Sequence, residues 1–232
     1  MDDAGGLADL DLDLGDQVVH QEVGDRDVGD RQALMSGFVE PLTMVGNRWV
    51  SLEPLTREHL PEIEAASADG ELGGLWFTGA PKAGAAGEWV EMRLAAQNPD
   101  TGLTFVVRGR GGELVGSSSY LNVDGANRRL EIGYTWYTAL ARRTGVNSET
   151  KLLMLGHAFD ELGCVAVEFR THYFNSASRA GIERLGAKLD GVLRSHQILP
   201  DGSRRDTVVY SILDIEWPSV RNNLVFRLDR NG

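Results

Sequence analysis

An α/β (α+β) fold, with helices flanking a mixed and mostly antiparallel central sheet, is predicted by three observations. Leu103 to Arg108, Leu114 to Leu121 and Arg129 to Tyr137 read as successive strands, separated by the turn-forming segments Arg108-Gly109-Arg110-Gly111-Gly112-Glu113 and Asp124-Gly125-Ala126-Asn127, which makes them an antiparallel meander. A helical pattern then separates Tyr137 from a further strand, Val165 to Thr171, and a crossover helix leaves the strands it joins parallel. Finally, Gly191 to Ile198 and Asp206 to Leu213 flank Pro200-Asp201-Gly202 as a hairpin.

Before the meander, Arg48 to Glu53 alternates like a strand. Thr56 then opens a helix with Glu58 and His59 in its first turn and Ile63 on its apolar side. A second helix is expected over Gly87 to Gln97, with Trp89, Met92 and Leu94 or Ala96 buried. Between these helices the glycine-rich stretch from Gly70 to Gly84 has the length and composition of a lid or substrate wall. The crossover helix is expected from Thr150 to Leu162, with Leu152, Leu155, Phe159 and Leu162 at helical spacing and Gly163 as its stop. A shorter helix, Ser176 to Leu185, ends at Gly186, and a terminal helix starts near Glu216-Trp217-Pro218.

Charge divides the chain in two. Residues 1–34 hold ten acidic residues against two arginines, while the rest carries 24 acids and 21 bases. The acidic segment, with its near-repeat Val23-Gly24-Asp25-Arg26-Asp27-Val28-Gly29-Asp30-Arg31 and no aromatic residue, is expected to be a disordered leader, with Met35 a second candidate start. Residues 35–232 are then a single domain. The near-neutral body argues against a nucleic-acid binder that works by bulk charge, and no segment approaches the ~18 apolar residues of a membrane span. An N-terminus without basic and apolar signal regions leads to the expectation of a cytoplasmic protein.

Metal chemistry finds little support in the residues. Asp9, Asp11 and Asp13 have calcium-loop spacing, but the glycine falls one place late and His20 stands where a bidentate Glu is required. The single cysteine, Cys164, sits in the apolar run Cys164-Val165-Ala166-Val167 and is expected to be a buried packing residue. His157 and Glu161 are four residues apart on one helix and are expected to form a surface pair, since no third ligand has suitable spacing.

The chemically informative stretch is Ala141-Arg142-Arg143-Thr144-Gly145-Val146-Asn147-Ser148-Glu149, a loop running into a helix start. The first N–H groups of a helix lack intrahelical acceptors and carry the positive end of its dipole, so this junction is suited to an anion such as a phosphate. Without an anion, Asn147 or Ser148 would simply cap the helix.

Three landmarks resemble the GNAT superfamily of acyl-CoA-dependent N-acetyltransferases, in particular its ribosomal-protein N-terminal (RimJ/RimL-like) branch, over roughly Trp49 to Trp217. Leu130-Glu131-Ile132-Gly133-Tyr134 is similar to the family's fourth strand, Arg142-Arg143-Thr144-Gly145-Val146-Asn147 to its CoA loop, and Asn175-Ser176-Ala177-Ser178 with Leu185-Gly186-Ala187 to its asparagine-helix-glycine segment. Asn147 departs from the usual Gly/Ala at the end of the loop, but in the branch Asn there commonly precedes Glu and Lys, as with Glu149 and Lys151. The resemblance implies a splayed parallel strand pair, acetyl-CoA as acyl donor, no metal, and an amine acceptor that is a protein N-terminus or a small molecule. It implies neither a nucleic-acid nor a membrane partner, and it admits a homodimer.

Carried onto this sequence, the resemblance implies that Thr135, Trp136 and Tyr137 offer backbone groups to the pantetheine arm and acetyl carbonyl. Arg142, Arg143, Thr144, Gly145, Val146, Asn147 and Ser148 would take the pyrophosphate, and Asn175 the cofactor's pantetheine groups. Direct attack by an amine needs a base, for which Glu131 is the first candidate and Glu168 the second, and an acid for the departing thiolate, Ser178 or Tyr173. Alternation along the strand puts Glu131 on the face opposite Ile132 and Tyr134, where it would otherwise be a solvent-facing carboxylate or a partner for Arg129. A non-catalytic CoA-binding or partner-binding module with the same fold is the competing reading.

Overall fold

The computed structural model describes residues 38–68 and 78–230. The expected leader and much of the Gly70 to Gly84 stretch lie outside the described residues. In chain order the elements are β1 (Met44–Val45), β2 (Val50–Pro54), α1 (Leu60–Ser67), α2 (Ala86–Ala95), β3 (Gly102–Gly109), β4 (Leu114–Asp124), β5 (Arg129–Tyr137), α3 (Val146–Gly156), β6 (Ala166–His172), α4 (Ser176–Leu185), β7 (Lys188–Ile198), β8 (Arg204–Leu213) and α5 (Trp217–Arg230). Short 3-10 turns precede α1, α3 and α5, and a π turn at His157–Glu161 extends α3.

The eight strands form one sheet in the order β1-β2-β3-β4-β5-β6-β8-β7. All neighbours are antiparallel except β5 and β6, which the α3 crossover makes parallel. Their pairing is brief. Arg129 faces Ala166, Leu130 faces Val167 and Glu131 faces Glu168; beyond that point β5 stays with β4 while β6 pairs with β8 through His172. The two strands therefore diverge toward their C-terminal ends and leave an open cleft.

The middle of the sheet, from β3 to β5, is covered on both faces, whereas β7 is exposed along nearly its whole length. Phe105, Tyr120, Ile132 and Phe169 pack toward Met154, Leu155 and Ala158 of the α3 crossover and Trp217, Val220 and Leu224 of α5. On the other face Val106, Leu114 and Trp136 pack with Ile63 of α1 and Trp89 and Val90 of α2. Cys164 is buried as expected, and burial pushes its thiol up to about 12, far from a reactive thiolate. Among the described residues no helix is long and apolar enough to cross a membrane.

Three sequence expectations are corrected. In α2 the buried charged residue is Arg93, whereas Met92 is exposed, because the Arg93 guanidinium donates to the Thr104 and Ser119 hydroxyls and lies 4.1 Å from the Tyr134 ring centroid. The crossover helix starts at Val146, four residues before Thr150, and Gly145 is its N-cap, so neither Asn147 nor Ser148 caps it. His157 and the exposed Glu161 do pair, at 3.9 Å, but not on the surface: His157 belongs to the core, with Nδ1 3.2 Å from the Tyr120 hydroxyl and its ring stacked on that tyrosine.

The position of α3 is tied to the sheet edge by a single carboxylate. Glu149, buried in the first turn of α3, accepts from the backbone N–H groups of Asn47, Arg48, Trp49 and Val50 at 2.5–3.1 Å. Those amides belong to the β1–β2 turn, and leaving the buried Val50 amide and the part-buried Trp49 amide without an acceptor is expensive. Glu149→Ala is expected to lower the unfolding free energy by about 3 kcal/mol, read from urea denaturation, whereas an unchanged midpoint would show that water replaces the carboxylate without cost.

Candidate active site

The cleft begins where β5 and β6 part, at Glu131 and Glu168. Just beyond it β5 carries a bulge: Ser119 pairs with Gly133 and Ser117 with Trp136, so two residues, Tyr134 and Thr135, oppose Ser118. Tyr134 adopts a left-handed backbone with φ 47°. The extra residue reverses the facing pattern. Tyr134 lies with Arg93 on the α2 side, while the Thr135 hydroxyl turns toward α3 and Trp136 packs edge-on against Trp89. Tyr134 thus shares the face of Glu131, contrary to simple alternation, although Ile132 is opposite as expected.

Past the bulge, Thr138 N–H donates to Val115 O and Trp136 lies opposite Ser117. Strand alternation then turns the backbone groups of Thr135 and Tyr137 away from β4, toward the cleft, and those of Trp136 toward β4. Of the three sequence candidates, Thr135 and Tyr137 present backbone to the cleft. Trp136 contributes a buried side chain beneath it.

The loop after β5 sets the helix start. A 3-10 turn at Ala139–Ala141 leads to extended Arg142, which donates through Nε to Tyr137 O at 3.4 Å, and to Arg143, exposed and left-handed at φ 62°. The Thr144 hydroxyl donates to Ala141 O and accepts from Val146 N–H, closing the loop onto the helix. Gly145 is required by packing, since a Cβ there would stand 2.3 Å from Nε1 of Trp49. The first α3 turn therefore begins within the loop. Among the described residues no acceptor meets the amides of Asn147 and Ser148, which are half-buried at the positive end of the helix dipole. A pocket of about 330 Å³ lies beside the loop, lined by Arg48, Trp49, Arg110, Glu113, Thr144 and Val146 among others. No residue of β6 lines it, so it is separate from the cleft.

Across the cleft, the C-terminal end of β6 leads into Tyr173 and Phe174, both exposed, and then α4. Asn175 is the N-cap of α4: its side-chain oxygen accepts from Ser178 N–H at 3.0 Å, leaving its amide nitrogen available to a ligand. The Arg179 guanidinium lies 5.1 Å from the Tyr173 ring centroid. Because β5 and β6 are parallel, the Tyr137–Ser148 and Tyr173–Ser178 segments leave the sheet at the same end and border one cleft. Of the sequence candidates, Thr135 and Tyr137 turn backbone toward this cleft and Glu131 stands at its apex, whereas Trp136 and Val146 are buried in the core and Thr144 and Val146 line the separate pocket.

The two carboxylates at the apex have different surroundings. Glu168 is bonded to Arg129 and, at 2.8 Å, to Arg170. Glu131 is buried, accepts from the Asn122 side-chain amide at 2.7 Å and lies 3.5 Å from Arg170. Burial raises the Glu131 pKa above the ordinary carboxylate value, and the Asn122 hydrogen bond and the charge of Arg170 oppose that rise. Arg129 pairs with Glu168 rather than Glu131, so the alternative reading of Glu131 as a solvent-facing residue or Arg129 partner does not hold.

The sequence reading noted Lys151 only as part of the branch pattern, with no role in the site, and missed Ser118. Lys151 is buried on the sheet side of α3 and donates to Ser118 Oγ at 3.0 Å and Thr135 Oγ1 at 2.9 Å, and the two hydroxyls are 2.7 Å apart. The available signal was a lone lysine two residues after a buried-phase glutamate; its direction was hidden because the bulge decides where Thr135 points.

Comparisons with known proteins agree with this geometry. YdaF of Bacillus subtilis (strain 168), named as a candidate ribosomal N-acetyltransferase, is 34% identical over 106 residues, 46% of this chain, and the match spans 57% of that relative's length. The crystal structure of a GCN5-related N-acetyltransferase from Brucella melitensis superposes with a TM-score of 0.74 at 31% identity, covering 82% of this chain and 86% of that one. RimJ of Mycobacterium smegmatis, determined with CoA-disulfide, shares the fold at a TM-score of 0.65 and 23% identity, covering 81% and 95%. Residues 50–188, from the start of β2 to the start of β7, match the model of the acetyltransferase (GNAT) domain, and the chain belongs to that family.

Proposed function

We propose that this protein transfers an acetyl group from acetyl-CoA to a primary amine, by direct attack within a ternary complex. The observation that carries this reading is the parting of β5 from β6 after Glu131, with the Tyr134 bulge and the helix start of α3 beside it. In this reading the pyrophosphate lies on the amides of Asn147 and Ser148, with Arg142 and Arg143 adding charge, and the pantetheine arm runs along Thr135 and Tyr137 toward Asn175. The amine nitrogen attacks the thioester carbonyl carbon, forming the amide bond as the C–S bond breaks. Glu131 takes the amine proton, through water, and Tyr173 or Ser178 returns a proton to the departing thiolate.

YdaF's name points to a ribosomal acceptor, which we read as a protein N-terminus, and a small-molecule amine is the alternative within the same chemistry. A protein acceptor of that kind goes with a cytoplasmic setting. Peptide N-termini and small amines incubated with acetyl-CoA are expected to release thiol for at least one acceptor; silence across both panels, with acetyl-CoA bound, would favour a binding module instead. Glu131→Gln is expected to cut kcat by on the order of 100-fold with acetyl-CoA affinity retained, and unchanged turnover would remove Glu131 from the mechanism.

The pH dependence has a definite sign. A base must be ionised, so the acid limb of kcat/KM follows the raised Glu131 pKa, and activity rises with pH through it. Asn122→Ala removes a hydrogen bond that favours the carboxylate, so this limb is expected to move to higher pH. A shift to lower pH, or none, would show that Glu131 does not set the limb.

A further inference from the structure

Lys151 is a buried basic group set among hydroxyls. Among the described residues no acid lies within ion-pair distance of its ammonium, and its partners are the Ser118 and Thr135 hydroxyls. An unpaired charge in a protein interior is costly, so the cluster needs compensation from outside the residues that form it. Counting hydrogen bonds indicates what is lacking. The ammonium has three N–H donors and spends two; the hydroxyls have two O–H donors and spend one on each other at 2.7 Å. One N–H and one O–H remain, with no acceptor among the described residues. Ser118 is fully buried, but Thr135 is half-buried on the bulge at the edge of the cleft, so it is the member of the triad through which the surplus reaches a ligand.

We propose that Lys151 is a positioning residue for acyl transfer, directing a hydrogen-bond donor and a positive charge through Ser118 and Thr135 toward the thioester oxygen at the Tyr134 bulge. The inference rests on the acetyl-CoA reading above. In the tetrahedral intermediate that oxygen becomes an anion, and a fixed dipole backed by a buried cation stabilises it with little reorganisation. The hydroxyls also lock the Thr135 rotamer beside the backbone groups that face the cleft.

Burial alone lowers the Lys151 pKa, to about 7, with no neighbouring charge contributing. The titratable groups on the elements packed around it are engaged elsewhere. On α3 and its π turn, Glu149 holds the β1–β2 amides and His157 meets Tyr120, whose hydroxyl donates to Met154 O. Glu53 on β2 pairs with Arg108, and Arg221 on α5 faces Asp160. Tyr137 on β5 is a buried phenol whose pKa burial raises, so it stays neutral. The contribution of Lys151 is therefore present below about pH 7 and lost above it, opposite in sign to that of Glu131.

The test compares wild type, Lys151→Met, Lys151→Arg and Thr135→Val in kcat and KM across pH, with acetyl-CoA affinity by calorimetry and thermal unfolding. Lys151→Met is expected to lower kcat by on the order of 100-fold below pH 7 while KM for acetyl-CoA and the melting temperature hold or improve. It should also lose the alkaline limb near pH 7. Lys151→Arg, which stays charged, should retain activity without that limb. Thr135→Val keeps the lysine and removes the outlet, and it should fall as Lys151→Met does, with Thr135→Ser restoring it. Wild-type kcat and pH profile in folded Lys151→Met and Thr135→Val would overturn this inference alone, whereas a wild type that neither binds nor turns over acetyl-CoA would overturn the reading beneath it.

Discussion

One carboxylate holds the architecture of the cleft in place. Glu149 gathers four backbone N–H groups of the β1–β2 turn, and it does so from the first turn of α3, within four residues of the loop that would take the pyrophosphate. Trp49, on the same turn, fills the space that a side chain at position 145 would occupy. The start of α3 is thus fastened to the far edge of the sheet, not only to the strand that precedes it. A charge-assisted bond to four amides is strong and directional, and it fixes both where the helix begins and which way its N–H groups point.

The second constraint is the bulge at Tyr134. By adding one residue to β5 opposite Ser118, it separates two requirements that regular alternation would put in conflict. Glu131 and Tyr134 come to lie on the α2 face, while Thr135 faces α3 and can receive Lys151. The bulge also frees the outward backbone of β5 where β6 has left for β8, which is what makes the strand edge usable by a ligand instead of a neighbouring strand.

The serine run of β4 gives the site an uncommon electrostatic character. Ser118 serves Lys151 on one face and Ser119 serves Arg93 on the other, so two buried basic side chains flank the bulged strand and, among the described residues, neither meets a carboxylate. Hydroxyls satisfy their hydrogen bonds without cancelling their charge. Glu131 and Glu168 share the apex with Arg170 and Arg129 but leave these two cations uncompensated. A site with this balance favours anionic chemistry, as acyl transfer through an oxyanion requires.

Much of the fold was legible in the chain. The meander, the crossover and Ser176 to Leu185 with its Gly186 stop follow from local signals: turn residues, a period near 3.6 and a left-handed glycine, here at φ 106°. That the loop runs into a helix was legible for the same reason, since unpaired amides are a property of any helix end, although its first residue was not. Tertiary structure decided the rest. Arg93 rather than Met92 is buried because hydroxyls and a ring from distant strands receive it, His157 enters the core because Tyr120 bonds it, and α3 starts at Val146 because Thr144 and Glu149 close the loop onto the sheet. The sequence by itself determined which elements exist and in what order they follow one another. Only the tertiary structure decided that Glu131 is buried, that Tyr134 changes face and that Lys151 reaches Thr135, because these depend on a one-residue mismatch between two strands that no local pattern records.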